Sequence, residues 1–400
     1  MATTSAYRRL WSATALSNLG DGIRQAALPL LVVTMTGDPV LVAGVTVAGQ
    51  LPWLLFGLFA GAVVDRVDRR RLVAGVDLVR IGLLVALVAA VATDLATGAV
   101  GVVLVYLVAF GCGLGETLRD TAAATLLPPL VDDADLERAN GRLLNTEIAG
   151  NELIGPPLGG YLFGVALVLP FAVNGGTLAV AAVLILSLPN LFAPAPGERR
   201  RDNIRAETAA GLRWLARHRE LRVLVGLTGV FAFTDGAWFA VLVLYVADVL
   251  HLPAYGYGLL LGVGAVGGLI GGAGAARVVR VAGPGAALAG ALALAAAGQA
   301  LLGFTSTAVV AAAGLLVGSF AFGVWNVVSL TQRQRLAPPE LLGRVMAAGR
   351  TVTMIASMLG ALTGGLVAAG LGLRAPILLG IPALLACAAI AGAGFDRRTR

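Results

Sequence analysis

Twelve apolar segments, each of bilayer-crossing length, follow one another along this chain. They run approximately over residues 10–35, 42–64, 72–93, 99–122, 141–164, 170–188, 221–247, 256–276, 284–304, 308–330, 344–369 and 375–394. A spanning helix needs about 20 mainly apolar residues to cross a hydrocarbon core about 30 Å thick. Lipid offers no water to free backbone groups, so such segments fold as helices that satisfy every N–H and C=O internally. The chain is 58% hydrophobic and 13% charged, whereas a soluble domain is about 45–50% apolar and about 25% charged. The expectation is an all-α integral membrane fold of twelve transmembrane helices. Its 54 glycines suit closely packed helices.

The net charge of +7 comes from Arg alone, with no Lys. A basic balance can mean nucleic acid, but here the positions argue for a membrane. Arg8, Arg9, Arg66, Arg69–Arg71, Arg138, Arg142, the 199–222 cluster, Arg277, Arg280, Arg333, Arg335, Arg344 and Arg397–Arg400 all fall on one side of the alternation. The opposite loops hold Arg374 alone. By the positive-inside rule both termini are cytoplasmic. The first apolar stretch is longer than a signal-peptide core and carries Asp21 and Arg24, so it reads as a retained helix. Cys112 and Cys387 lie in apolar runs and read as small buried hydrophobes. His218 and His251 are far apart, so no metal cluster is suggested and no cofactor is implied.

One polar stretch divides the chain into a six-helix bundle over 1–190, a cytoplasmic linker over 191–220 and a six-helix bundle over 221–400. Within the linker region, Ile204, Thr208, Leu212 and Leu215 share a helical face, which fits an amphipathic helix on the inner leaflet. The halves echo each other. Gly61-Ala-Val-Val-Asp65-Arg66-Val-Asp-Arg69 aligns with Gly272-Ala-Gly-Ala-Ala276-Arg277-Val-Val-Arg280, and Gly155-Pro-Pro-Leu-Gly159-Gly160 with Gly360-Ala-Leu-Thr-Gly364-Gly365. Two matches at a similar offset point to a parallel duplication.

A charge at the membrane centre costs about 2.5–3.5 kcal/mol, so each ionisable residue in these segments needs a reason. The first segment holds Asn18, Asp21, Arg24 and Gln25; Asn18, Asp21 and Gln25 share a face. Asp21 lies about 18 Å of helical rise beyond Arg9. A polar stripe facing a cavity is the functional expectation, and a local Asp21–Arg24 ion pair the structural one. The fourth segment ends with Glu116, Arg119 and Asp120 on one face, read as a gate or a structural charge network. The fifth carries Asn145, Glu147, Asn151 and Glu152 before its Gly-Pro-Pro run, where two missing donors bend the helix. The seventh contributes Asp235 with Phe231 and Trp238, and the tenth Ser319, Asn326 and Arg333.

The loop Asp65-Arg66-Val67-Asp68-Arg69-Arg70-Arg71 resembles the helix-2/3 loop of the major facilitator superfamily, G-x-x-x-D-R-x-G-R-R/K. Gly155-Pro156-Pro157-Leu158-Gly159-Gly160 resembles the helix-5 G-P-x-x-G-G motif of drug–proton exchangers. Gly115-Glu116-Thr117-Leu118, Leu127-Pro128-Pro129, Leu136, Ala139-Asn140 and Gly155-Pro156-Pro157 look like the macrolide- and siderophore-efflux branch. There are two departures. Asp68 stands at the usual Gly of the loop, and the first half of the fourth segment lacks the Arg that many proton-coupled members place there.

The resemblance implies two six-helix bundles, both termini inside, in the plasma membrane. It implies proton-coupled efflux of small amphipathic molecules by alternating access. Asp21, Glu152 and Asp235 are the proton-coupling candidates. Asn18, Arg24, Gln25, Trp238 and Asn326 are the cavity candidates. Gly61, Asp65, Arg66, Arg69 and Arg70 form the gating loop, where Asp65 can cap a neighbouring helix N-terminus while the arginines pair with carboxylates or lipid phosphate. Gly155, Pro156, Gly159 and Gly160 carry the helix-5 motif. The implied partners are a small-molecule substrate, protons and the lipid bilayer, not nucleic acid, and the chain reads as a monomer. An uptake symporter on the same fold and a non-transporting sensor or scaffold are the rivals. An enzyme is disfavoured by short outer loops and the lack of a nucleophile–base pair.

Overall fold

A computed structural model describes residues 2–64, 66–132, 135–189, 218–338 and 341–395. The described chain is helical almost throughout. Every apolar segment of the sequence forms helix, in the order α1 (Ala2–Met35), α2 (Pro39–Val64), α3 (Arg69–Ala92), α4 (Gly98–Leu126), α5 (Leu136–Ile148), α6 (Gly155–Val165) and α7 (Leu169–Leu186). After the linker come α8 (Arg219–Phe239), α9 (Ala254–Ala282), α10 (Pro284–Phe304), α11 (Ala308–Leu336), α12 (Leu342–Leu371) and α13 (Ala375–Phe395). Ten of the described helices are long and apolar enough to cross a membrane. The first and fifth apolar segments fall outside that group. The former carries Asp21 and Arg24 in its middle. The latter is divided into α5 and α6 by a π-helical turn, Ala149–Ile154.

That turn follows from the two prolines. Pro156 and Pro157 have no N–H to give to the carbonyls a turn earlier, so a regular α-helix is interrupted there. The Gly155 N–H instead bonds to the Gly150 carbonyl, and the widened turn carries Asn151 and Glu152. A second π turn, Tyr245–Val249, follows α8. Tyr245, fully buried, fixes it by donating its hydroxyl to the Leu302 and Thr305 carbonyls at the end of α10.

The described residues fall into two compact units. The first holds Met1–Gly37, Val45–Arg199 and Pro253–Gly262; the second holds Asp38–Gly44, Arg200–Leu252 and Val263–Arg400. Both use one packing plan. In the first, α1 packs on α6 and α7, and α3 on α4 and α7. In the second, α8 packs on α12 and α13, and α10 on α11 and α13. The second core gathers Leu224, Phe231, Leu288, Leu292, Trp325 and Leu384, with the Phe231 ring edge-on to Phe322 and Trp325 at 5.6 and 5.7 Å.

The glycine repeat read from the sequence does the same work in each unit. A Cβ on Gly155 would lie 2.7 Å from the Gly22 Cα on α1, and one on Gly159 3.0 Å from the Ile23 Cα. In the second unit, a Cβ on Gly360 would lie 3.0 Å from the Phe233 Cα and one on Gly364 2.6 Å from the Ala237 Cα. The third glycines also correspond. Gly160 meets the start of α9 at Ala254 and Gly258, and Gly365 meets the start of α2 at Pro39 and Val40. Matching glycines on matching helices support the duplication.

Candidate functional site

Three helices of the first unit each carry an acid followed three residues later by an Arg. These are Asp21-Gly-Ile-Arg24 on α1, Asp77-Leu-Val-Arg80 on α3 and Glu116-Thr-Leu-Arg119 on α4. That spacing puts the acid and the base on one helical face, a turn apart. The nearest partners are nevertheless on other helices. Arg80 donates to Asp21, Arg24 donates to Glu116 at 2.9 Å, and Arg119 donates to Asp77. Each helix gives its acid to one neighbour and its Arg to the other. The three bonds close a ring through α1, α4 and α3.

Longer contacts within a helix, Arg24–Asp21 at 3.5 Å and Arg80–Asp77 at 3.7 Å, join the pairs into a ladder: Arg119, Asp77, Arg80, Asp21, Arg24, Glu116. Signs alternate along it, and three cations balance three anions. Asp77 and Arg80 are fully buried and Asp21 is 2% exposed. Buried charges of this kind persist only when paired and hydrogen-bonded. Further bonds help: Ser17 donates to the second Asp21 oxygen at 3.3 Å, and Arg119 to the Ala13 carbonyl at 3.2 Å. Gly115 clears a path for the Arg80 stem, since a Cβ there would lie 2.6 Å from the Arg80 Cδ. The bonding is incomplete: Arg24 Nε, Arg80 Nε and Nη1, and Asp77 Oδ1 have no hydrogen-bond partner among the described residues.

Asp21 is therefore not the solitary carboxylate with a single local partner that its own helix suggests. Its closest partner, Arg80, comes from α3. Asp77 and Arg80 are not among the sequence candidates, because they stand in an otherwise apolar helix. The available signal was the acid-x-x-Arg spacing, which occurs on all three helices.

The other candidates are dispersed. Asn18 is buried and accepts from the Asn151 amide at 3.1 Å, tying α1 to the π turn. Gln25, further along α1, is exposed. Glu152 is exposed on the π turn. Pro156, Gly159 and Gly160 are buried. In the second unit, Asp235 is half-buried, one helical turn before Trp238. Asn326 is exposed, whereas Arg333 is buried and donates to the Ser329 carbonyl and hydroxyl at 3.3 and 3.2 Å. Cys112 and Cys387 are buried, as their apolar settings suggested.

The helix-2/3 loop adds a cap beyond the expected one. Asp65, the residue expected to cap a helix, lies outside the described residues. The cap observed is Asp68, at the family's glycine position, which accepts from the Arg70 and Arg71 N–H groups at 3.0 and 3.3 Å at the start of α3. Gly61 is half-buried and Arg66 exposed. Arg70 donates to the Leu188 carbonyl, and Arg9 to the Ser187 carbonyl, so two cations meet the C-terminal end of α7, where its dipole is negative. Arg69 is half-buried in the first turn of α3. Residues 191–217 of the linker, with the expected amphipathic face of Ile204, Thr208, Leu212 and Leu215, lie outside the described residues.

Known proteins agree on the class. The fold matches the nucleoside transporter NupG with a TM-score of 0.77 at 11% identity, covering 98% of this chain and 99% of that one. It matches a bacterial homologue of the iron transporter ferroportin with a TM-score of 0.77 at 19% identity, covering 97% and 98%. Multidrug efflux pump Tap of Mycolicibacterium fortuitum is 27% identical over 92% of this chain and 90% of its own length. Macrolide efflux protein A of Streptococcus pyogenes is 25% identical over 46% of this chain; the match spans 45% of that protein, less than half its length. The family model described as "Transmembrane secretion effector" matches residues 2–396. The chain therefore belongs to the transmembrane secretion effector family of major facilitator transporters.

Proposed function

We propose that this chain exports small amphipathic molecules from the cytoplasm in exchange for protons, by alternating access. The observation that carries this reading is the buried charge ring of α1, α3 and α4. Ionisable groups deep inside apolar helices are costly and mark substrate or proton pathways. The efflux names of the relatives favour export of drug-like molecules. Asp21, Glu152 and Asp235 remain the proton-coupling candidates, and Asn18, Arg24, Gln25, Trp238 and Asn326 the cavity candidates. Twelve spans in two bundles, over 1–190 and 221–400, with cytoplasmic termini in the plasma membrane, complete the reading; the protein acts as a monomer.

The test is flux in proteoliposomes of the full chain, with radiolabelled erythromycin and, separately, ethidium as probes. An imposed pH gradient should drive at least one probe opposite to the proton. Movement in the same direction as the proton would favour an uptake symporter instead. No movement of either probe would defeat the export reading for drug-like cations and macrolides.

Orientation has its own measurement. Single cysteines replacing Gly37 or Thr97 should react with an impermeant thiol reagent added to intact cells, and one replacing Arg200 should not. The native thiols, 0% and 5% exposed at Cys112 and Cys387, give little background. Labelling at position 200 in intact cells would reverse the proposed topology.

A further inference from the structure

The charge ring has one loose joint. Arg24 Nη2 stands 2.9 Å from Glu116 and 3.5 Å from Asp21, so two carboxylates on different helices compete for one nitrogen. Asp21 has other partners in Arg80 and Ser17. Among the described residues Glu116 is hydrogen-bonded by Arg24 alone. The Glu116 side chain is also 17% exposed, against 2% for Asp21 and 0% for Asp77, so water reaches this end of the ladder first. No ion pair among the described residues joins Glu116 to Arg119 on its own helix, which leaves the ladder open at that point.

The groups around Glu116 come from each packed element. Asp21 and Arg24 face it from α1, and Arg80 from α3. On α4 itself, Asp120 lies one turn further on, and Cys112 one turn back beside Arg24 and Arg80. Arg119 and, from α5, Glu147 act on Asp120.

We propose that Glu116 is a further proton site of this transporter, beside Asp21, Glu152 and Asp235, and that its protonation hands Arg24 over to Asp21. The idea rests on the proton-coupled reading above. A proton from water adds to a Glu116 carboxylate oxygen and makes a neutral carboxylic acid. The ring changes from zero net charge to +1. Arg24 then pairs with Asp21, to which it can offer its idle Nε as well as Nη2. The Arg24–Glu116 bond between α1 and α4 is released, while Arg119 still holds the Ala13 carbonyl of α1, Arg80 still ties α1 to α3 and Arg119 still ties α4 to α3. Loss of the proton to water on the other side restores the Arg24–Glu116 bond. Arg24 is a positioning residue in this scheme, and Glu116 is the group that titrates.

Infrared difference spectroscopy on the full-length protein in detergent, between mildly acidic and mildly basic buffer, reads the proton directly. The wild type should show a carboxylic-acid carbonyl band on acidification. Glu116→Gln should remove that band, Glu116→Asp should shift but keep it, and Arg24→Gln should move its midpoint. Should Glu116→Gln fail to fold, the double variant Arg24→Gln/Glu116→Gln leaves two neutral pairs, Arg80–Asp21 and Arg119–Asp77, and serves in its place. A wild type without the band, or a band of wild-type size in the Gln variants, overturns the proposal. In the flux assay Glu116→Gln should lose gradient-driven transport of any probe the wild type moves; unchanged transport also overturns it. If the wild type moves neither probe, the export reading fails, and the infrared band still decides whether Glu116 titrates.

Discussion

Arg80→Gln should destabilise the detergent-solubilised protein by about 3–5 kcal/mol, the usual consequence of leaving a buried carboxylate without its cation. Arg80 is the middle cation of the ladder and lies closest to Asp21, with Asp77 on its other side. Without it, Arg119 and Asp77 remain a neutral pair, but Asp21, Arg24 and Glu116 carry a net negative charge in an apolar bundle. Asp21→Asn creates the opposite imbalance, a net positive group of Arg119, Asp77 and Arg80. Combining the two should recover most of the loss, because Arg119–Asp77 and Arg24–Glu116 are left as two neutral pairs. Asp21→Asn with Arg24→Gln should recover less, since it strands Glu116 and leaves the α3–α4 group positive. Thermal melting of the four variants checks the order. Equal recovery in both double variants would mean that Arg80 is not the principal partner of Asp21.

Gly364→Val should be the most damaging of the glycine substitutions in the second unit. Its Cβ would lie 2.6 Å from both the Cα and the carbonyl carbon of Ala237, and these backbone atoms cannot rotate aside. Overpacking a tight contact costs about 1–3 kcal/mol, more where backbone must move. Gly370→Val is the control: it lies on the same helix, α12, and its Cβ would meet nothing within 4 Å. Both variants replace a helical Gly by Val, so a much larger melting-point loss at 364 than at 370 reports the α8–α12 contact. Melting points within error of each other would show that the helices separate at little cost.

The helical layout was legible because each apolar segment has a length that only a helix can satisfy in lipid. The glycine repeats were legible too, since Gly155, Gly159 and Gly160 share spacing with Gly360, Gly364 and Gly365, and both sets mediate close packing. The charge ring was only half legible. Asp21, Arg24, Glu116 and Arg119 stand out within their own helices, but pairing between helices depends on three-dimensional neighbours. Helical spacing points Arg24 at Asp21; the fold points it at Glu116. Asp77 and Arg80 stayed hidden because the residues around them are uniformly apolar. At the helix-2/3 loop, Asp68, where the family pattern has Gly, caps α3, a role that the resemblance does not imply.

The ring also imposes an order on biosynthesis. Arg80 lies 59 residues after Asp21, and Glu116 lies 92 residues after Arg24. At a translation rate of about 5–20 residues per second, Asp21 waits about 3–12 s for its guanidinium from α3. During that interval the first helix has only Arg24, three positions away, to offset the Asp21 charge. With only that pair to offset its charge, α1 is expected to settle in the membrane only once α3 and α4 have emerged. Truncated nascent chains ending before residue 80 should hold their first helix far less firmly in the bilayer than chains extending past residue 119.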